Sequence, residues 1–260
     1  MAAEPEDAEA RNTTVDRALR VLEAFLEPGG EMGVLELSRQ LELDKSVIHR
    51  ILSTLVRRRF LEQDPVSRRY RVGLRAWELG HRYLDDRQLD RLAEAELTGI
   101  VQRHPYCTGY LASLDGGDVV VVCSVRGQGP ITVYIDPGTR MIAELTVTGR
   151  ALLAALPAAQ RDQVIRRRRQ AGLGGRPALP LPELVDRLTA IEAAGFSASN
   201  GDYVPGIGTV AVPIRSADAQ AIAALSIDYL AAPETSTLPT ELPEELRRSV
   251  TEIERVVQQS

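Results

Sequence analysis

Cysteine is scarce: the 260 residues include two, Cys107 and Cys123. They form no CxxC or Cys/His spacing, so no metal site is expected and both read as small buried apolar residues. Aromatics make up only 4% of the chain, so its cores must be packed with Leu, Val, Ile and Ala. No run approaches the ~18 apolar residues of a membrane span. The first twelve residues, MAAEPEDAEARN, are acidic and lack an apolar stretch. They read as a disordered tail (1–12), not a signal peptide. A reduced, cytoplasmic protein with no cofactor and no membrane association is expected. Catalytic signatures are also missing. The three histidines (His49, His81, His104) form no HExxH, and TVTGRA (146–151) and GIGT (206–209) are neither nucleophile elbows nor phosphate loops. Cys107 has no indicated His partner. An enzyme is not expected, and no catalytic residue is assigned.

Positive charge is not in general excess either, since the chain carries a net −5. It is concentrated instead. Residues 45–82 hold ten Lys/Arg against Glu62, Asp64 and Glu78, a net of +7, which leaves −12 for the rest. A small basic region on an acidic body suggests a nucleic-acid module joined to a part with another task.

That region opens on VLELSRQLELDKSVIHRILSTL (34–55), which reads as two short helices and a tight turn. Ile48, Ile51, Leu52 and Leu55 recur at i, i+3, i+4 and i+7, one face of a helix. Asp44 is expected to cap that helix through its carboxylate. With the apolar face turned inward, Lys45, Ser46, His49, Arg50, Ser53 and Thr54 face outward. This donor-rich, acid-free set suits a helix entering a DNA major groove. Ser46, His49, Arg50 and Thr54 are expected to read bases, and Lys45 to meet phosphate. A preceding helix from Thr13, with Asp16 in its first turn, carries the stripe Val15, Ala18, Leu19, Leu22, Phe25 and Leu26 and stops at Pro28-Gly29-Gly30. Two short strands, Phe60–Gln63 and Arg69–Val72, joined by Asp64-Pro65-Val66-Ser67, read as a wing whose Arg68, Arg69 and Arg71 meet the DNA backbone. Residues 13–73 thus form a winged helix-turn-helix.

Residues 74–92 read as a linker helix, with Trp77 as a packing anchor at the domain junction and a second helix beginning near Asp86. The remainder, 93–258, alternates helices with strand pairs. Asp115-Gly116-Gly117 turns one hairpin, whose second strand (VVVVCSV) is expected to be buried. Ile131–Ile135 is expected as a further strand. A helix opens at Thr148-Gly149-Arg150-Ala151. Arg166 to Arg169 are expected to neutralise the solvent-exposed end of the next helix. Glu183–Ala194 and Glu241–Gln258 are helical, and a second strand pair lies between them. The expected class is α+β around one antiparallel sheet.

Four stretches, in this order and spacing, carry a resemblance: VDRALRVLEAF (15–25), LSRQLELDKSVIHRILSTL (37–55) with the wing RRYRVG (68–73), TVTGRALLA (146–154) and GFSASNGDYVPGIGTVAVP (195–213). Together they resemble the IclR family of bacterial transcription regulators across roughly residues 13–258. The resemblance implies a winged helix-turn-helix followed by a GAF-like effector-binding domain. It also implies homodimers, often paired as dimers of dimers, on pseudo-palindromic double-stranded DNA operators, with a small carboxylic acid or aromatic as effector. By motif, the effector site is implied around Thr148-Gly149, along the loop Ser199 to Thr209, and at Ser226 and Asp228. Val133, Met141, Val147 and Ile207, with Ile131, would form its apolar wall. Ser199 stands where the family often has Asp, and Thr209 replaces a frequent Cys. Asp228 takes a position often held by a small residue, where it would repel a carboxylate unless protonated. Asp228 could also be a solvent-facing strand end, and Asp202 could touch ligand or shape the loop. The alternative function is a ligand-independent regulator or protein-interaction module that has lost effector binding.

Overall fold

The structure is a computed structural model that describes residues 13–26, 29–85, 89–201, 203–218, 220–231 and 241–258. The chain falls into two compact units that divide between Asp86 and Arg87. The expected tail, Pro28, the helix start near Asp86, and Asp202 lie outside the described residues.

The first unit contains α1 (Thr13–Glu23) with a 3-10 turn through Leu26, β1 (Glu31–Met32), α2 (Val34–Leu41), α3 (Lys45–Arg57), β2 (Leu61–Gln63), β3 (Tyr70–Val72) and α4 (Leu74–Asp85). Ile48, Ile51, Leu52 and Leu55 of α3 are buried against Val21, Phe25 and Leu37. At about 2 kcal/mol for each buried aliphatic side chain, this stripe is what seats the helix. The core side of α1 differs from the expected stripe. Val21 is fully buried, whereas Val15, Leu19 and Leu26 are exposed. The α2–α3 turn is fixed by Glu42, which takes a left-handed φ of 55°. Leu43 N–H donates to the Ser38 carbonyl at 3.2 Å, and Ser38 Oγ donates back to the Leu43 carbonyl at 2.7 Å. Asp44 holds the N-cap position of α3, but its carboxylate makes no capping bond. Its main-chain carbonyl accepts from Val47 and Ile48 instead. A strand absent from the sequence reading, β1, pairs with β3, and the three-stranded order is β1-β3-β2. Trp77 is 60% exposed within its own unit.

The second unit begins with α5 (Leu89–Arg103), one continuous helix whose Leu89, Ala93, Leu97 and Ile100 are buried. Residues 89–92 thus belong to this helix and its core. Then follow β4 (Thr108–Asp115), β5 (Asp118–Arg126), β6 (Arg140–Ile142), a 3-10 turn (Ala143–Leu145), α6 (Val147–Ala154), α7 (Ala158–Gln170), α8 (Leu181–Ala194), β7 (Ser197–Asn200), β8 (Ile207–Arg215), β9 (Ala221–Leu230) and α9 (Leu242–Val257). One antiparallel sheet has the order β6-β5-β4-β9-β8-β7. Strand alternation divides its faces. Leu225, Ile227 and Tyr229 of β9 pack with Leu97, Ile100, Leu246 and Ile253 of α5 and α9. Ala224 on the opposite face packs with Leu152, Leu153, Leu184 and Leu188 of α6 and α8. Ser226 and Asp228 share that second face.

Gly116 and Gly117 make the β4–β5 turn with φ of 58° and 92°. The second strand is not buried throughout: Val119 and Val121 are buried, while its later residues are half-exposed. Ile131–Ile135 is not a strand. The edge of β5 is taken by Arg140–Ile142, which pairs with Asp118–Val120. The 131–135 carbonyls are claimed by side chains instead: Tyr110 Oη donates to Val133 at 3.1 Å and Ser124 Oγ to Ile135 at 2.8 Å. Nor is the Arg166–Arg169 run simply solvated. Arg166 and Arg167 are exposed, but Arg168 Nε pairs with Asp118 at 2.6 Å and Arg169 with buried Glu144 at 2.8 Å.

Candidate functional site

Two sites are assembled, one in each unit. In the first, the buried stripe of α3 turns Lys45, Ser46, His49, Arg50, Ser53 and Thr54 to solvent. Helical spacing places Arg57, also exposed, on the same face as Ser46, Arg50 and Ser53. Arg57 is not among the residues expected from the sequence, although the period from Arg50 reaches it. Thr54 Oγ1 donates to the Arg50 carbonyl at 3.0 Å and remains an acceptor. Arg50 and Thr54 also line a groove beside Thr14, Arg17 and Ala18 of α1.

The wing turn is held by Asp64, whose Oδ1 accepts from Ser67 N–H at 2.6 Å and Val66 N–H at 2.9 Å. These backbone donors hold its carboxyl below the usual range, the Ser67 bond most of all. The three wing arginines differ. Arg68 is exposed at the tip in a left-handed conformation (φ 60°). Arg69 is bound to Glu36 at 2.8 Å and to the Glu31 carbonyl at 2.7 Å, which ties the wing to α2. Arg71 pairs with Glu62 across the strands at 3.1 Å.

In the second unit a cavity of about 390 Å³ lies on the α6 side of the sheet. Of the residues expected there, Val133, Met141, Val147, Thr148, Ser199, Ile207, Thr209, Ser226 and Asp228 line it. Gly149 does not, and Ile131 is 65% exposed. Gly149 has another task. A Cβ there would lie 2.2 Å from the Ala143 carbonyl oxygen, so the missing side chain lets α6 pack on the turn before it. Gly149→Ala should therefore cost on the order of 1–3 kcal/mol or more in urea denaturation. An unchanged midpoint would show that this close approach is not needed.

Several lining residues escaped the sequence reading, among them Tyr110, Val121, Ile135, Thr139 and Arg140. They come from distant strands and from the 131–139 segment, and no local period marks them. Thr146 caps α6, its Oγ1 accepting from Gly149 N–H at 3.0 Å. The N–H groups of Val147 and Thr148, in the first turn, have no intrahelical acceptor, and the helix dipole favours an anion beside them. Asp228 is not a solvent-facing strand end, because it is 8% exposed. Thr209, its partner across β8, donates to Oδ1 at 2.7 Å. Burial pushes the Asp228 carboxyl up to about 6, against the lowering effect of Thr209. Burial, and then Asp228, push the Tyr110 phenol up, so it stays protonated as a donor to Val133. Burial likewise pushes Cys107 and Cys123 up to about 11, which suits inert thiols.

Residues 14–65 match the IclR helix-turn-helix domain, and residues 81–255 match the family described as bacterial transcriptional regulator IclR C-terminal. The chain is 27% identical over 217 residues to the HTH-type transcriptional regulator XynR of Escherichia coli K12, across 84% of this chain and 86% of that one. The structure of an IclR transcriptional regulator from Alicyclobacillus acidocaldarius superposes with a TM-score of 0.77 at 26% identity, covering 96% of this chain and 98% of that one. An IclR homolog from Microbacterium hydrocarbonoxydans, solved in complex with 4-hydroxybenzoate, gives 0.80 at 24% identity over 95% and 100% of the chains and so shares the fold. A helix-turn-helix with an exposed donor face, joined to a matching C-terminal domain, is the architecture of a transcriptional regulator, not an enzyme. This chain belongs to the IclR family of bacterial transcriptional regulators.

Proposed function

We propose that this protein binds a specific DNA operator and that a small organic effector in the cavity of residues 110–228 sets its operator affinity. The cavity carries the proposal: it is apolar along Val121, Ile135, Val147 and Ile207, and polar at Thr146 and Thr148, where α6 begins, and at Asp228. The homolog solved with 4-hydroxybenzoate supports a ligand of this size. A ligand that favours one arrangement of the dimer shifts the population able to reach both half-sites. Exposed Val15, Leu19 and Leu26 of α1, and Leu74, Trp77 and Leu79 of α4, support assembly as a homodimer, and further as a dimer of dimers, on a pseudo-palindromic site. Residues 13–73 act as the DNA-binding module and α4 as the connection to the effector module. The protein works in the cytoplasm, and no helix among the described residues is long and apolar enough to cross a membrane.

On DNA, Ser46, His49, Arg50 and Thr54 read bases, while Lys45, Arg68, Arg69 and Arg71 meet phosphate. Arg50→Ala is expected to cost on the order of 1–3 kcal/mol on the operator and to relax base preference. Equal weakening on operator and random DNA, measured by fluorescence anisotropy, would remove Arg50 from base reading. Arg68→Ala should reduce the slope of log K against log salt by about one on any sequence. Arg71→Ala should change it less, because Glu62 already neutralises part of that charge. A larger slope change for Arg71 than for Arg68 would reverse that ranking.

A further inference from the structure

Thr108 on β4, Asp228 on β9, Thr209 on β8 and Ser199 on β7 are successive partners across the sheet. Strand alternation sets them on one face. Asp228 is the acidic member of this row and lines the cavity. Thr209 donates to its Oδ1. Tyr110 Oη is directed to the Val133 carbonyl. The one cation among the described lining residues is Arg140, and its guanidinium is held by Asp115 at 2.8 Å and approaches Asp118 at 3.7 Å. Among the described residues, the cavity therefore presents a buried carboxyl with no cation set against it. An uncompensated buried charge is costly, and a charge-assisted donor is what would offset it.

We infer that the effector carries a protonated amine that seats against Asp228, with an apolar body along Val121, Ile135 and Ile207. This rests on the effector role of the cavity proposed above. The first-turn N–H groups of Val147 and Thr148 can donate to an anionic group on the same molecule, so a small aromatic amino acid-like zwitterion matches both polar ends. Asp228 is then the specificity-determining residue. It rejects simple carboxylates, which lack a cation, by like-charge repulsion.

The test uses two probes that differ only at the group facing Asp228: 4-(aminomethyl)benzoate and 4-(hydroxymethyl)benzoate. Benzoate and benzylamine supply each polar end alone. Titration calorimetry on the full chain at pH 7.5 should give the aminomethyl compound at least about tenfold tighter binding than its hydroxymethyl twin. Asp228→Asn, which keeps an acceptor for Thr209, should bring the pair within about threefold, and Asp228→Ser should do the same. The two variants guard against a folding defect peculiar to one side chain. Equal affinities of the twins for the unaltered protein, or a preference that survives both substitutions, would overturn the inference while leaving the effector role intact. If none of the four probes binds, the inference and the effector role fall together.

Discussion

Arg169→Met is expected to destabilise the protein by about 3–5 kcal/mol in urea denaturation, because it strands a buried charge. The Glu144 side chain is 3% exposed. Both its oxygens are taken by Arg169, at 2.8 Å to Nε and 3.0 Å to a terminal nitrogen, and the same guanidinium reaches the Leu179 carbonyl at 2.8 Å. One fork thus fastens α7, the 171–180 segment and the turn ahead of α6. Removing it leaves Glu144 with the desolvation penalty and no partner. Glu144 stands two residues before the Thr146 cap, so the loss should also loosen the first turn of α6, whose Val147 and Thr148 line the cavity. The double variant Glu144→Leu/Arg169→Met removes both charges and should recover most of the loss. A single variant within 1 kcal/mol of the parent would show that Glu144 finds solvent or another donor without Arg169.

Asp228→Asn should have the opposite sign at neutral pH, stabilising the unliganded protein by about 2–3 kcal/mol. The folded carboxyl titrates near 6, and the ordinary value is 3.8. Between these values the folded protein holds a proton that the unfolded chain has released. The associated stability is complete below pH 4, is lost as pH rises to about 6, and stays lost above that. Asn carries no such penalty and still accepts from Thr209. The gap between variant and parent should therefore be small at pH 4 and full at pH 7, read from denaturant midpoints across that range. A variant less stable than the parent at pH 7 would mean that the carboxylate is compensated within the protein. A residue that costs stability while lining a cavity is better accounted for by what it binds than by how it packs.

The parts legible in the sequence were those with a local signature. Ile48, Ile51, Leu52 and Leu55 announced α3 by their period, Asp115-Gly116-Gly117 announced a hairpin, and the spacing of four motifs announced the family. Elements decided by distant partners were misread. Ile131–Ile135 has strand composition, but the slot beside β5 belongs to Arg140–Ile142, and Tyr110 and Ser124 take the carbonyls it would have paired. Arg168 and Arg169 looked like a solvated helix end because Asp118 and Glu144, their partners, lie 50 and 25 residues away. Val21 displaced Val15 and Leu19 from the core because α1 meets α3 on a face that its own pattern leaves open. Asp44 sits where a cap belongs, but its backbone carbonyl, not its carboxylate, receives the bonds. The candidate cavity was legible wherever a motif crossed it, at Val147, Thr148, Ser199, Thr209, Ser226 and Asp228. It was silent at Tyr110 and Ile135, which long-range pairing delivers.

The most direct test of the account is fluorescence anisotropy with the full chain on operator DNA enriched from fragmented genomic DNA of the source organism, against scrambled DNA, at physiological salt. The titration is repeated with saturating 4-(aminomethyl)benzoate. The account predicts at least about a hundredfold preference for the enriched DNA, and a change in that affinity of about fivefold or more when the cavity is filled. Equal, weak and salt-sensitive binding to both DNAs would contradict it. So would an operator affinity that stays the same while calorimetry shows the cavity occupied.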